Sequence, residues 1–411
     1  MDPSRSQFWR DLWRRVREGI GAGSTRPGDK PLHARARLIW LAAGCAMPVL
    51  TALLARIPGV VEREYSNRIG YWIQRALALG SGVVPFSIVE IGTLILSLYL
   101  LLLAVRGVIQ TVRRQRHALN AAACGVLWLG KGLGLAALLG YAAWAFNFAR
   151  ADVVTRQHWS AFAVPLGADA GRQELELSCT RLVELANREF AYAAGTLNAE
   201  KSGRPTGGIA GMDASLEEAY AAVATRLDLP ASFAAGRGRA KPIVVSGVLS
   251  ATLIGGFYSP WTGEANYNRE LPQCDLPHAI AHEKAHQRGI AGEDEANFFG
   301  FLACIHSRDA YVRYSGFLFA QQQLLRELRR VDPGKAREIA AHRSQGVQQD
   351  IEEIIRYVTR HRGVLSNIQA AAIDTYLKAN RAPGGIQSYS MSSRLIIIYA
   401  RMAGTLDPGT F

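Results

Sequence analysis

Three long apolar runs dominate the first part of the chain and then stop. Leu38–Ala55 is eighteen residues without a charge. Val83–Val105 carries one acid, Glu90, near its start, and Ala121–Phe148, rich in Gly and Ala, carries one base, Lys131. Each is long enough to cross a bilayer as a helix, and Pro48 inside the first is tolerable there. Gly130, Gly132 and Gly134 suit close packing of one such helix on another. The connection at 56–82 is of mixed charge, and Ile73, Ala76 and Leu77 within it predict a short amphipathic helix. After residue 149 the apolar positions become shorter and interrupted. They predict helices over 174–195 and 214–227, the second ended by Pro230, and strands over 243–246 and 251–258 with Gly255-Gly256 as a bend. Helical segments follow near 295–331, 333–361 and 363–379, then a break at Gly384-Gly385. The last apolar run, Leu395–Ala400, is too short to span a bilayer and reads as core. The expected fold class is a membrane-anchored α+β protein: three transmembrane helices, about 38–55, 83–105 and 121–148, followed by a mostly helical domain, 149–411, with a small β-sheet.

Charge refines this picture. The net charge of +13 would suit nucleic acid. Much of it, however, lies in residues 1–37, with nine Lys/Arg against four Asp/Glu, and in the acid-free stretch 106–120. Both flank apolar runs, which a membrane surface explains better than a nucleic-acid face. Residues 5–20 read either as a basic amphipathic helix carrying Phe8, Trp9, Leu12 and Trp13 or as a flexible tail. Basic segments favour the cytoplasm, so three spans put the 1–37 tail inside and residues 149–411 outside the cytoplasmic membrane. Five cysteines are too few for a disulfide scaffold. Cys45 and Cys124 read as packing, and one disulfide among Cys179, Cys274 and Cys304 is open in an oxidising compartment.

The candidate chemistry lies in residues 275–298. His282-Glu283-Lys284-Ala285-His286 is an H-E-x-x-H. Helical spacing stacks the two imidazoles on one face, where they can hold one zinc ion, with Glu283 beside them to take a proton from water. Asp275 and Pro277 mark a helix start and Gly289 a stop. A third ligand is needed. Chain reversal after Gly289 brings Glu293 forward as the first candidate and Glu295 as the second. His278, one turn earlier, reads as a neighbour rather than a ligand. Tyr314, Arg313 and Tyr389 are candidates to stabilise an oxyanion.

Several blocks resemble a bacterial family of multi-span membrane proteins with an H-E-x-x-H motif, a domain of unknown function. They are PFSIVEIG (85–92), GFYSPWTGEANYN (256–268), LPHAIAHEKAHQRGIAGEDEANFFGFLAC (276–304), RYSGF (313–317) and DTYLKANRAPGGIQSYS (374–390). The resemblance implies a zincin-like domain and names no substrate. Membrane zincins of the CAAX-processing type are similar in a looser way. They carry a later E-x-x-A-D whose Glu binds zinc, and Glu293-x-x-Ala296-Asn297 follows that pattern with Asn in place of Asp.

The expectation is a membrane-bound zinc metallopeptidase with zinc on His282, His286 and Glu293 and with Glu283 as general base. Its partners would be membrane lipid and a peptide or protein of the cell envelope. In zincins an edge strand before the active helix binds extended peptide, and residues 251–268 occupy that place. The rival is a non-catalytic envelope protein with a structural zinc site or a partner-binding domain. Cleavage within the membrane is disfavoured because 275–298 is too polar.

Overall fold

The computed structural model describes residues 33–113, 118–165, 167–196, 205–379 and 391–407. The 5–20 segment, the Gly384-Gly385 break and Tyr389 lie outside them. Among the described residues, three helices are long and apolar enough to cross a membrane: Ala34–Leu54, Ile88–Val112 and Asn120–Ala143. The second starts five residues later than the hydropathy run: Pro85 disfavours helical backbone at the residue before it, Val84, and the helix begins at Ile88. The chain divides into two compact units. One is built on these three helices; the other comprises Leu54–Ile88 and Trp144–Phe411.

Within the first unit, glycines set the approach of helix to helix. A Cβ on Gly44 would stand 2.6 Å from Gly134 Cα, and one on Gly134 would strike the backbone of Trp40 and Leu41. Glycine removes that obstacle, so two backbones come together without side chains between them. Gly132 has open space where its Cβ would be and contributes nothing to this contact.

The second unit is mostly helical around a small mixed sheet. Strand β1 is Lys241–Ile243, β2 is Gly256–Ser259 and β3 is Glu264–Asn268, in the order β1-β3-β2. β1 runs parallel to β3, with Lys241 opposite Asn266; β2 runs antiparallel, with Phe257 opposite Asn266. The strands expected at 243–246 and 251–258 are thus displaced. Ser246–Ala251 is a short helix, and Ser246 turns back to donate to Ile243 O at 2.6 Å. β3 replaces the apolar signal with a buried ion pair. Lys241 and Glu264 are both fully buried and meet at 2.6 Å, and Lys241 Nζ also donates to Ser81 O at 2.6 Å.

The helices follow the apolar pattern, with breaks where side chains compete for backbone groups. The segment expected as 295–331 is two helices, Glu293–Ile305 and Ala310–Val331, and Asp309 caps the second by accepting from Tyr311 N at 2.8 Å. That expected as 333–361 is also two, Pro333–Ala340 and Gln345–His361. Ala310–Val331 packs on Ala168–Thr196, and Met391–Ala403 closes the core with Leu395, Ile396, Ile398 and Tyr399 buried. All five cysteines are free thiols, so the disulfide allowed among Cys179, Cys274 and Cys304 is not formed.

Candidate metal centre

The site helix runs Leu276–Gln287. Pro277 sits in its first turn, where a missing N–H costs nothing. Its end is a tight reversal in which Gly289 adopts φ +79°, a left-handed conformation that disfavours side chains. The reversal returns the chain so that the next helix, Glu293–Ile305, starts beside the H-E-x-x-H.

Three side chains converge there. His282 Nε2 lies 3.0 Å from His286 Nε2 and 3.2 Å from Glu293 Oε2, and His286 Nε2 lies 3.7 Å from Glu293 Oε1. One ligand atom from each falls within 4.8 Å of the others. The tautomers follow from the outer ring atoms. His282 Nδ1 donates to Asn297 Oδ1 at 2.9 Å, and His286 Nδ1 donates to Ile290 O at 2.7 Å. With both Nδ1 atoms protonated, two Nε2 lone pairs face each other at 3.0 Å. Such an arrangement is repulsive unless a cation or a proton lies between them. A tetrahedral zinc with N bonds of 2.0–2.1 Å spaces its ligand atoms about 3.3 Å apart. The observed separations straddle that value, so the donor set fits a metal of this kind.

The electrostatics of the group agree. Burial alone would lower the His282 imidazole, but the hydrogen bond and charge of Glu293 outweigh it and raise it to about 9. The His286 imidazole is pushed down to about 4, chiefly by burial. Glu293 thus favours positive charge on the His282 side of the group, beside the place a cation would take. Burial pushes the Glu283 carboxyl up to about 8, and its Oε2 has no hydrogen-bond partner among the described residues. Its other side is pressed by β2: a Cβ on Gly256 would lie 2.8 Å from Glu283 Cγ and 2.5 Å from Asn266 O.

Of the two candidate third ligands, the structure brings Glu293 to the histidines. Glu295, the runner-up, is committed elsewhere: its Oε1 accepts from Val153 N at 2.6 Å and its Oε2 pairs with Arg156. His278 is a neighbour, stacked on Phe319 at 3.6 Å and held neutral by burial, which lowers it to about 3. Two oxyanion candidates are engaged away from the group. Arg313 pairs with Glu189 at 2.8 Å, and the Tyr314 hydroxyl donates to Asp350 at 2.7 Å.

Other contributors carry no motif. Trp144 Nε1 donates to His286 O at 2.8 Å, and its ring stands edge-on to that imidazole and tilted against Tyr258. Behind the site helix, Lys284 and Arg288, both fully buried, converge on Glu217 at 2.5 and 2.6 Å. The two positive charges outweigh the effect of burial and hold the Glu217 carboxyl down at about 2. The periodicity that marks a helix face cannot reveal these partners, because they come from 67 and 71 residues away.

Fold and site together define a mostly helical protein with three membrane-length apolar helices and a His-His-Glu group, His286 buried and the other two half-buried, that could hold a metal. Residues 65–397 match the model of a family described as a protein of unknown function (DUF3810), and the chain belongs to that family. No curated protein and no solved structure matches the chain.

Proposed function

We propose that this protein is a membrane-bound zinc metallopeptidase that hydrolyses peptide bonds at the outer face of the cytoplasmic membrane. The observation that carries the reading is the convergence of His282, His286 and Glu293 beside Glu283 Oε2, a buried carboxylate oxygen without a protein partner. His282, His286 and Glu293 would hold the ion. When bound, zinc polarises a carbonyl and lowers the pKa of water towards about 7.

The chain's own residues supply the rest. Asn297 and the Ile290 carbonyl fix the two imidazoles by their Nδ1 protons, which keeps both Nε2 lone pairs on the ion side. Glu283 accepts the proton of the attacking water at Oε2 and returns it to the leaving amine nitrogen. Burial raises its basicity above that of an ordinary carboxylate. β2 is an edge strand of the sheet, and an extended peptide can add to such an edge by backbone pairing.

Connectivity supports the placement. If all three apolar helices cross, Leu54, Ile88 and Ala143 end on one side, and the segments Leu54–Ile88 and Trp144–Phe411 that start or end at those points are the ones grouped in one compact unit. Arg106, in the last turns of the second helix, and Arg113, Arg114 and Arg116, which follow it in the sequence, favour the cytoplasm and so leave that unit outside.

The test uses the full chain in lipid nanodiscs. We expect one zinc per chain by metal analysis and hydrolysis of a peptide library that a chelator abolishes. Glu283→Gln should retain zinc and lose roughly 10²–10⁴-fold in rate. Hydrolysis at the parental rate in that variant sinks the reading. Retained zinc with no hydrolysis by the parent leaves a structural metal site in a non-catalytic envelope protein.

A further inference from the structure

The helix Gly70–Gly82 is amphipathic in the wrong sense for a water-facing surface. Its buried positions are Gly70, Gln74, Ala78 and Ser81, small or polar. The outward positions are Trp72, Ile73, Ala76, Leu79 and, just past the end, Val83. At 100° per residue these five fall within an arc of about 120°. Trp72 is 63% exposed, Leu79 49% and Val83 79%. A helix on a water-facing surface turns its apolar stripe inward; this one turns it out.

The inward face has a specific task, which rules out simple rotation to hide the apolar stripe. Gln74 Nε2 donates to Pro260 O at 3.3 Å. A Cβ on Gly263, at φ +69°, would meet Ala78 N at 2.5 Å. The small and polar side is thus consumed by the β2–β3 turn, at whose tip Trp261 is 52% exposed. The sheet edge beside Glu283 and the apolar stripe are therefore parts of one rigid arrangement.

We infer that this face beds in the interfacial layer of a phospholipid bilayer. Three further observations select lipid over a protein partner. Val83 is five residues from Ile88, the start of an apolar helix of membrane length, so the stripe is leashed within on the order of 17 Å of it. Glu264, next to the turn, accepts from Ile88 N at 2.8 Å, which fixes that leash at its far end. Residues 70–87 contain no acid and one base, Arg75, and Trp72 and Trp261 are the side chain most favoured at the headgroup level.

Site-directed fluorescence quenching tests this in the full chain. On a Cys45→Ala background, Trp72→Cys and Leu79→Cys are labelled with an environment-sensitive dye. Val331→Cys, at a position 63% exposed on another helix, serves as reference. In nanodiscs containing brominated phosphatidylcholine, the labels at 72 and 79 should be strongly quenched and the label at 331 should not. Aqueous iodide should quench 72 and 79 several-fold less than 331. Equal iodide quenching at all three positions overturns the inference. Protection from iodide without quenching by brominated lipid also overturns it and identifies a protein surface, or a second copy, as the cover. Neither readout depends on hydrolysis or on bound metal.

Discussion

The helix Ile88–Val112 buries none of its residues although it is built mainly of Leu, Ile and Val. The helix Leu276–Gln287 buries ten of its twelve, and they include His278, Glu283, Lys284, His286 and Gln287. Each would be unstable in the other's surroundings. An exposed apolar helix is stable where its solvent is itself apolar and every backbone group is satisfied within the helix. A buried charged helix is stable only where each charge meets a partner brought from elsewhere in the chain. The contrast separates two ways of using free energy. The first needs no partners and can be read from composition; the second is a list of specific pairs. Glu283 Oε2 is one place, among the described residues, where that list is left open, and it lies at the candidate metal centre.

The largest effect should come from breaking the pairs behind the site helix. Glu217 receives Lys284 and Arg288, and Lys284 also lies 3.0 Å from Asp213. Glu217→Gln leaves buried cations short of a counter-charge and should cost about 3–5 kcal/mol near neutral pH. The sign with pH follows from linkage. The folded carboxyl is held down at about 2 against an ordinary 4.5. Its contribution is therefore present above 4.5 and lost as pH falls from there to about 2. Urea unfolding of parent and variant in micelles should show a wide gap at pH 7 that narrows at pH 3. A gap of the same size at both values would mean that packing, not charge, accounts for the loss.

A smaller effect is expected on the other helix. Leu101, near the middle of Ile88–Val112, is 59% exposed. Leu101→Asp places a charge where lipid is expected and should disfavour insertion by about 3 kcal/mol. The fraction of chain resistant to alkaline extraction from membranes reports it. Full retention of the variant would show that this face does not meet hydrocarbon.

The same contrast explains what the sequence could reveal. The three apolar runs were readable because a lipid-facing helix needs only length and hydropathy. The site helix was readable because Pro277, Gly289 and the i, i+4 histidines are local signals, and Glu293 followed from the short reversal after Gly289. The sheet was misplaced for a physical reason. β3 is Glu264-Ala265-Asn266-Tyr267-Asn268, poor in strand-forming residues and buried on every position, so it shows no alternation. It is held by Lys241 on β1 and by the register of β2. Val244-Val245, which look like a strand, are 66% and 46% exposed beside a short helix. Ile73 and Ala76 marked a real amphipathic helix, but their spacing cannot say that the apolar side faces out. Trp144 gave no signal at all, since an aromatic residue at the end of an apolar run reads as a membrane flank. Its hydrogen bond to His286 O is visible only in three dimensions.

The smallest predicted effect on stability bears most directly on chemistry. Gly256 begins the edge strand, and a Cβ there would stand 2.5 Å from Asn266 O and 2.9 Å from Glu283 Oε1. Real Cβ atoms do not come so close, so Gly256→Ala must push β2 away from β3, move the Glu283 carboxylate, or both. Overpacking of this size costs about 1–3 kcal/mol. The metal ligands are untouched, because His282, His286 and Glu293 are positioned by the site helix and the reversal after it rather than by β2. On the proposed function, the variant should therefore bind zinc as the parent does, unfold at a lower temperature, and lose rate through kcat as Glu283 is displaced. Zinc content and the hydrolysis rate measured on the same preparation separate the two consequences. Loss of zinc together with rate would mean that β2 helps hold the ligands. Unchanged rate with a lowered unfolding temperature would mean that β2 gives way and the Glu283 carboxylate stays in place.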